Sequence, residues 1–502
     1  MAIENIVIVG GGTAGWMAAA ALSRLKGDRP LAITLVESEQ IGTVGVGEAT
    51  IPPFVDFNNL LGIDEAELMA AAQATFKLGI QFVNWGQKGD SYIHPFGNYG
   101  YTMKGISFLQ VWHKMREWGD KRPIQAFNLE TMAAYFGKFS RTQDYARDDL
   151  PPINYAYHLD ASRYAGFMRK FAEGNGTMRV EGKVVDVALD GESGDVQRLT
   201  LDNGKIIEGD LFVDCSGFRG LLIEQALQTG YEEWTHWLPC DRAVAMPCNR
   251  DDGTPPPPFT MATAHSAGWQ WRIPLQHRTG NGHVYCSQYM ADDEAHDILV
   301  ANMPGKPTAD PNFLRFVTGR RKKFWNRNVV SLGLAAGFME PLESTSIHLV
   351  NTGINKLIAM LSLDGITDAM RNTFNRLTNK EYERIRDFLI LHYNATERDD
   401  SDFWNYCRTM DVPDTLREKI EIFQANGQVF REEDELFTET SWAAVMMGQR
   451  IPMKGHNPMA DTFDPGEIRQ EVDEMEKSIR YLVQQMPLHG QYVQKYCPAG
   501  TL

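Results

Sequence analysis

Ile6-Val-Ile-Val-Gly10-Gly-Gly-Thr-Ala-Gly15-Trp16 is the stretch that decides the fold. Ile6 to Val9 is a short β-rich run and the glycines form a tight turn. Trp16 to Leu25 is helix-forming, rich in Ala and Leu, and Leu31 to Val36 is a second apolar strand. Strand, turn, helix, strand is a βαβ unit and implies a parallel sheet. In Gly10-x-Gly12-x-x-Gly15 the first glycine permits the sharp turn and the second lets backbone approach a pyrophosphate. The third packs helix on strand, and the helix N-terminus favours the anion. Glu37 closes the second strand 22 positions after Gly15, near the ~20 expected of a ribose-binding acid. An acid there suits a free 2′-hydroxyl and would repel the phosphate of NADP. The unit predicts a dinucleotide site, with FAD and NAD both open.

Composition narrows what surrounds that unit. The chain has 502 residues, or about three units of the usual ~150-residue size. It is 43% hydrophobic and 23% charged, as expected of a soluble globular protein. Lys plus Arg is 49 against 65 for Asp plus Glu, a net charge of −16. Such a field repels phosphates, which argues against nucleic acid and anionic membranes as partners. The longest basic run, Arg320-Arg321-Lys322-Lys323, reads as a solvated face. Cys215, Cys240, Cys248, Cys286, Cys407 and Cys497 contain no CxxC pair, so neither a metal site nor a disulfide framework is expected. No apolar run approaches the ~20 residues that span a bilayer, and the N-terminus opens directly on a strand. A cytoplasmic protein is expected. The one low-complexity tract is Pro255 to Pro258.

Further along, Asp64 can cap a helix through Glu65 and Ala66, with Glu67 at capping-box spacing. Arg179 to Leu189, Val196 to Leu201 and Leu211 to Val213 read as strands. After about residue 355 the chain reads as mainly helical, with Ile468, Val472, Met475, Ile479, Leu482 and Val483 on one apolar face. Three segments favour FAD. Asp210 to Gly220 is a strand ending in an acid and a glycine turn, as in hydroxylase-type flavoproteins. Gly42 to Thr50 is a loop of small residues able to run along a bulky ligand, and Leu332 to Gly337 is another close-approach segment.

A more specific resemblance rests on Gly10 to Gly15, Gly45-Val-Gly-Glu-Ala-Thr50, Phe76-Lys77-Leu78-Gly79, Trp269-Gln-Trp271-Arg-Ile273-Pro274 and Glu340-Pro-Leu-Glu343-Ser-Thr-Ser346. In this order the chain resembles the flavin-dependent halogenases of the tryptophan-halogenase family, and Trp-x-Trp-x-Ile-Pro distinguishes that family among flavoproteins. The resemblance implies an α/β fold: a FAD-binding Rossmann-like domain of the flavoprotein monooxygenase type with an additional, mainly helical substrate domain. The expected FAD-binding domain is discontinuous, at 1–100, 155–225 and 325–360; residues 101–154, 226–324 and 361–502 form the substrate-binding, mainly helical region. The cofactor is expected to touch Gly10, Gly12, Thr13, Ala14, Gly15, Glu37, Ala49, Val184, Asp214, Gly217, Leu334 and Ile347.

The implied chemistry uses FAD supplied as FADH2, O2, and chloride or bromide. These yield hypohalous acid, which must be captured before it oxidises its surroundings. The resemblance gives that task to Lys77, as an ammonium donating to the oxygen of HOX or as a neutral amine forming a haloamine. A lysine in a low-dielectric pocket has a lowered pKa, which makes either form accessible. Glu343 would polarise the halogenating species or accept the arenium proton. Thr345 and Ser346 open a helix where backbone N–H groups can hold the halide; many tryptophan halogenases have Gly where this chain has Ser346. Trp269, Trp271, Ile273 and Pro274 would wall flavin from substrate.

On the substrate side, His94-Pro-Phe96 resembles a family His-x-Phe that sandwiches indole. Tryptophan-specific members share a Tyr-Tyr pair and an acid for the amino-acid tail. Here Trp442, Ala443 and Gln449 stand at those places, which points to an indole or another aromatic without a charged tail. With no NAD(P)H fingerprint evident, a separate, transient flavin reductase is expected, and a homodimer is possible. A single-component FAD hydroxylase or a flavin-binding redox sensor are the alternatives; neither needs Lys77.

Overall fold

A computed structural model of the chain describes residues 2–40, 47–144, 152–250, 255–433 and 435–500. The glycine-rich loop at 42–46 lies outside the described residues, and its continuation Gly47–Ala49 is a strand. The opening βαβ unit forms as read. Asn5–Val9, Ala32–Glu37, Leu211–Asp214 and Val329–Ser331 pair in parallel, with Met178–Glu181 parallel at one edge and Trp325–Asn326 antiparallel at the other. The register sets Val9 opposite both Asp214 and Val36. Gly10, Cys215 and Glu37 thereby meet at the carboxyl ends of the strands, where open α/β sheets bind ligands. The helix Thr13–Leu25 lies between this sheet and the helices Ala161–Gly174 and Ser346–Met360. Ala18, Ala19, Ala20 and Ala21 are fully buried, because side chains this small let neighbours pack close on every side.

The second layer departs from expectation. Residues 226–324 were expected to belong to the helical region, but they supply most of a seven-stranded sheet. Its order is Asn312–Arg315, Arg242–Ala245, Thr279–Tyr285, Gly268–Pro274, Thr260–His265, Gly79–Val83 and Ser91–Pro95. The last two strands were expected in the cofactor domain. Both strands are mostly buried, which suits either sheet, and the pairing of Ile80 with Thr260 cannot be read locally. The C-terminal region is helical, and its expected apolar face is buried along Pro465–Gln485. Asp64 caps its helix, accepting from the Glu67 N–H at 2.9 Å.

Two other expectations change. Arg179 to Leu189 breaks at Gly182 (φ +151°) into Met178–Glu181 and Val184–Leu189, which belong to different sheets. The basic run is not solvated throughout: Arg320 and Arg321 are each 6% exposed. Arg320 pairs with Glu232 and Glu383, and Arg321 with Glu224 while lying over the Tyr231 ring. Among the described residues no helix is long and apolar enough to cross a membrane.

A small sheet of Gly47–Ala49, Ala156–Asp160 and Thr75–Lys77 joins the two layers. The Thr75 hydroxyl donates to Pro274 O at 2.6 Å and lies 3.0 Å from His158 Nδ1. Gly47 crosses so close to the large sheet that an added Cβ would lie 3.3 Å from Gly280 Cα.

Gly10 is the tightest point of the first turn: its φ is +115°, and an added Cβ would lie 2.2 Å from Cys215 O. Gly10→Ala is expected to cost at least ~2 kcal/mol, from backbone strain plus the clash. Equilibrium denaturation checks this; an unchanged midpoint would mean that the turn can shift without penalty.

Candidate active site

At the carboxyl ends of the parallel strands, Gly12 begins the helix Thr13–Leu25 with no side-chain cap. A Cβ built at Gly12 would meet nothing within 4 Å. The unpaired N–H groups of the first turn, Thr13 and Ala14 among them, therefore border open space, as a pyrophosphate requires. Glu37 overhangs this turn: a Cβ at Gly11 would fall 1.4 Å from its Oε2. Arg179 Nε donates to Glu37 Oε1 at 2.5 Å, and Trp16 Nε1 lies 3.3 Å from Oε2. Gly182, two residues before Val184, donates its N–H to Glu37 O. Across the turn, Gly333 (φ +62°) brings Leu334 to the helix start, its would-be Cβ 2.9 Å from Ala14 Cβ. Asp214 is spent on backbone. It accepts from Ser216, Leu222 and Ile223 N–H groups, so it builds the turn carrying Gly217 instead of presenting a free carboxylate. These donors and clearances fit a flavin dinucleotide.

Lys77 ends the strand Thr75–Lys77, which pairs it with Ala156 and buries it completely. Its Nζ donates to Thr50 O at 2.9 Å and to Ser344 Oγ at 2.8 Å, and sits 5.1 Å from the centre of the Phe96 ring. Burial drives the Lys77 pKa down, and the negative charge of Glu343 partly restores it, leaving it at about 7. His158 stands on the adjoining strand, opposite Ala49 and Thr75. Burial, with Lys77 and His489 nearby, keeps its pKa well below the usual imidazole range.

Glu343 closes the short helix Pro341–Glu343 and is 1% exposed. His94 Nδ1 lies 2.8 Å from its Oε2, and His392 Nε2 lies 2.8 Å from its Oε1. His392 Nδ1 lies 2.8 Å from Phe388 O. Burial pushes the Glu343 pKa up, but the two imidazoles outweigh it and hold it down at about 2. Glu340, three residues earlier, is pushed up to about 7, because burial there outweighs its hydrogen bonds from Trp269 and Tyr393. Trp269 Nε1 donates to Glu340 Oε2 at 2.8 Å, which pins the indole. Trp269, Trp271 and Ile273 alternate along one strand, and Trp271 fills the space above Gly282, where a Cβ would lie 2.1 Å from its ring. Thr345 is buried, and Ser346 and Ile347 begin the helix Ser346–Met360, whose N-terminus has no side-chain cap.

Trp442 was expected at the substrate. It is fully buried, its Nε1 donates to Glu435 Oε1 at 3.1 Å, and Lys419 Nζ lies over its ring. The layers run from His94 to Phe388 and Phe437, which stack at 3.7 Å, and only then to Trp442. Trp442 therefore backs the aromatic stack. Ala443 is buried, and Gln449, also buried, donates its Nε2 to His392 O at 2.8 Å.

The tryptophan halogenase profile matches residues 5–465. The chain belongs to the tryptophan halogenase family. Within it, this halogenase is 33% identical to the tryptophan 6-halogenase SttH of Streptomyces toxytricini, with 97% of each chain covered. The fold superposes on Xcc4156, a flavin-dependent halogenase from Xanthomonas campestris, with a TM-score of 0.96 at 46% identity over 100% of both chains. BrvH, a flavin-dependent halogenase from Brevundimonas sp. BAL3, gives 0.94 at 44% identity over 99% of each. The protein is thus a flavin-dependent halogenase, an enzyme, and enzymes of this class use FADH2, chloride and O2. That sets aside the hydroxylase and redox-sensor alternatives.

Three members of this halogenase's cluster escape a reading of the sequence. Ser344, in the left-handed region at φ +60°, lies inside a recognised motif, yet nothing local links it to Lys77, 267 residues away. His392 and Phe388 face the site from the long helix Asp368–Asn394, where they look like ordinary core residues.

Gly12→Ala separates ligand space from protein packing. With φ at −77° and no neighbour to strike, stability is expected to stay within ~0.5 kcal/mol. Flavin affinity, read by fluorescence titration, is expected to fall at least tenfold; unchanged affinity would remove this turn from the cofactor site.

Proposed function

We propose that this halogenase uses FADH2, O2 and chloride or bromide to halogenate an electron-rich aromatic, preferably an indole without a charged tail. Gly10 to Gly15, Glu37, Ala49, Val184, Gly217, Leu334 and Ile347 would hold the flavin, which supplies hypohalous acid when reduced and given O2 and halide. The halide would sit at the uncapped helix start by Thr345 and Ser346, where backbone N–H groups offer positive potential. Trp269, Trp271, Ile273 and Pro274 separate that chemistry from the substrate. A separate flavin reductase supplies the reduced cofactor.

Lys77 carries the reading. Two of its N–H groups are committed to Thr50 O and Ser344 Oγ, and the third is left for the oxygen of HOX. Its neighbours, two oxygens, the Phe96 face and the Glu343 charge, are all electron-rich and favour the ammonium over the amine. Glu343 has both oxygens occupied by imidazoles, which favours a fixed negative charge stabilising the cationic arenium over a free base. His94 and His392 hold that charge in place, and Phe96 and His94 flank the aromatic substrate.

With saturating reduced flavin, product formation in the native enzyme is expected to decline as pH rises through about 7, where Lys77 loses its proton. Lys77→Met is expected to lose halogenation while still binding flavin. Full activity in that variant, or a rise in native activity through the same pH range, would falsify the ammonium role.

The preference for an uncharged tail follows from desolvation. A zwitterion taken into the site without partners costs several kcal/mol, ~2–7 per polar group. Among the described residues of the segment 438–449, Thr438 and Ser441 lie 3.1 Å apart, hydroxyl to hydroxyl, and Trp442 holds Glu435. In a competition at equal concentrations, halogenated indole is expected to exceed halogenated tryptophan; tryptophan ahead by tenfold would place a tail site on another loop.

A further inference from the structure

Away from the halogenation site, the helix Phe108–Glu117 carries His113 and Glu117 four residues apart, one turn on the same face. The segment before the short helix Pro458–Thr462 lays His456 beside them, anchored by the Asn457 N–H, which donates to Gln110 Oε1 at 2.8 Å. Glu117 Oε1 lies 3.2 Å from His456 Nδ1 and 3.9 Å from His113 Nε2. All three ligand atoms fall within 4.8 Å of one another. Tetrahedral ligands at ~2.0–2.2 Å from a zinc-like ion stand about 3.3–3.5 Å apart, so small side-chain motions would close this set.

The hydrogen bonds around His456 decide how the group can be used. Its Nε2 lies 2.8 Å from Asp461 Oδ1. A carboxylate only accepts, so the proton is on Nε2. Nδ1 then faces Glu117 Oε1 at 3.2 Å, lone pair to lone pair, unless a second proton or a cation lies between them. The contact of His113 Nε2 with the same oxygen is too long for a hydrogen bond. A carboxylate behind a ligating imidazole is the usual outer support of a metal site, fixing the tautomer and orienting the ring. Lys114 Nζ lies 2.8 Å from Glu117 Oε2 and 2.6 Å from Asp461 Oδ1. It leaves Glu117 Oε1 for the ion, and the two carboxylates still exceed the one ammonium by a single negative charge.

We propose that His113 Nε2, Glu117 Oε1 and His456 Nδ1 form a binding site for a divalent transition metal of the zinc class, supported by Asp461 and clasping the helix Phe108–Glu117 to the segment 456–461. Three protein ligands leave a fourth position to water. No residue of this group belongs to the halogenation site.

The test uses untagged full-length enzyme stripped by a chelator and then titrated with Co2+ and Zn2+. Calorimetry is expected to show one equivalent bound, and Co2+ to give d–d absorption of a four- or five-coordinate ion that Zn2+ displaces. His456→Gln and Glu117→Gln are expected to lose the site, and Asp461→Asn to weaken it ~10–100-fold. Metal-free thermal unfolding confirms that each variant is folded. Absence of one-equivalent binding, meaning that a second proton bridges His456 and Glu117, overturns the proposal. So does binding that survives His456→Gln in a folded variant.

Discussion

A carboxylate that is 1% exposed cannot remain ionised unless cations and hydrogen bonds replace its water, and Glu343 is the charge on which this site depends. His94 and His392 supply the replacement from two different parts of the chain, a strand of the large sheet and the helix Asp368–Asn394. Removing one partner of such a group typically costs ~3–5 kcal/mol, because the remaining charge stays buried. The pairing therefore locks the C-terminal helices onto the sheet. It also fixes a negative field beside Lys77, partly offsetting the burial that would otherwise strip the lysine of its proton.

The turn from Glu340 to Thr345 shows how far environment separates like residues. Glu340 meets only neutral donors, an indole N–H and a phenol, and burial drives its pKa up to about 7. Glu343 meets two imidazoles and is held at about 2. One carboxyl can stay protonated as a structural peg for Trp269 and Tyr393 while its neighbour stays charged. Ser344 directly follows Glu343 in a left-handed conformation and turns its hydroxyl to Lys77, so a single turn links Trp269, the charge and the lysine.

Much of the parallel sheet and its glycine turn was legible because its information is local. Gly10 to Gly15 and Glu37 lie within one βαβ unit, and each has a steric or electrostatic requirement that the residue type itself states. The large sheet and the C-terminal helices were less so. The segment 226–324 forms strands where helices were expected, Arg320 and Arg321 are buried pairs where a solvated run was expected, and Trp442 is a layer behind the place that its alignment suggested. In each case the deciding contact is far away in sequence, so composition and period carry little trace of it.

By itself, then, the sequence determined the dinucleotide turn, the family and the identity of Lys77 and Glu343 as the groups to examine, because short motifs constrain backbone shape and residue chemistry together. Only the tertiary structure decided what those groups are at neutral pH and who holds them. Lys77 meets Ser344 across 267 residues, and Glu343 meets His94 across 249. Burial and opposing charge set their protonation, and both are properties of the assembled interior that no stretch of chain possesses alone.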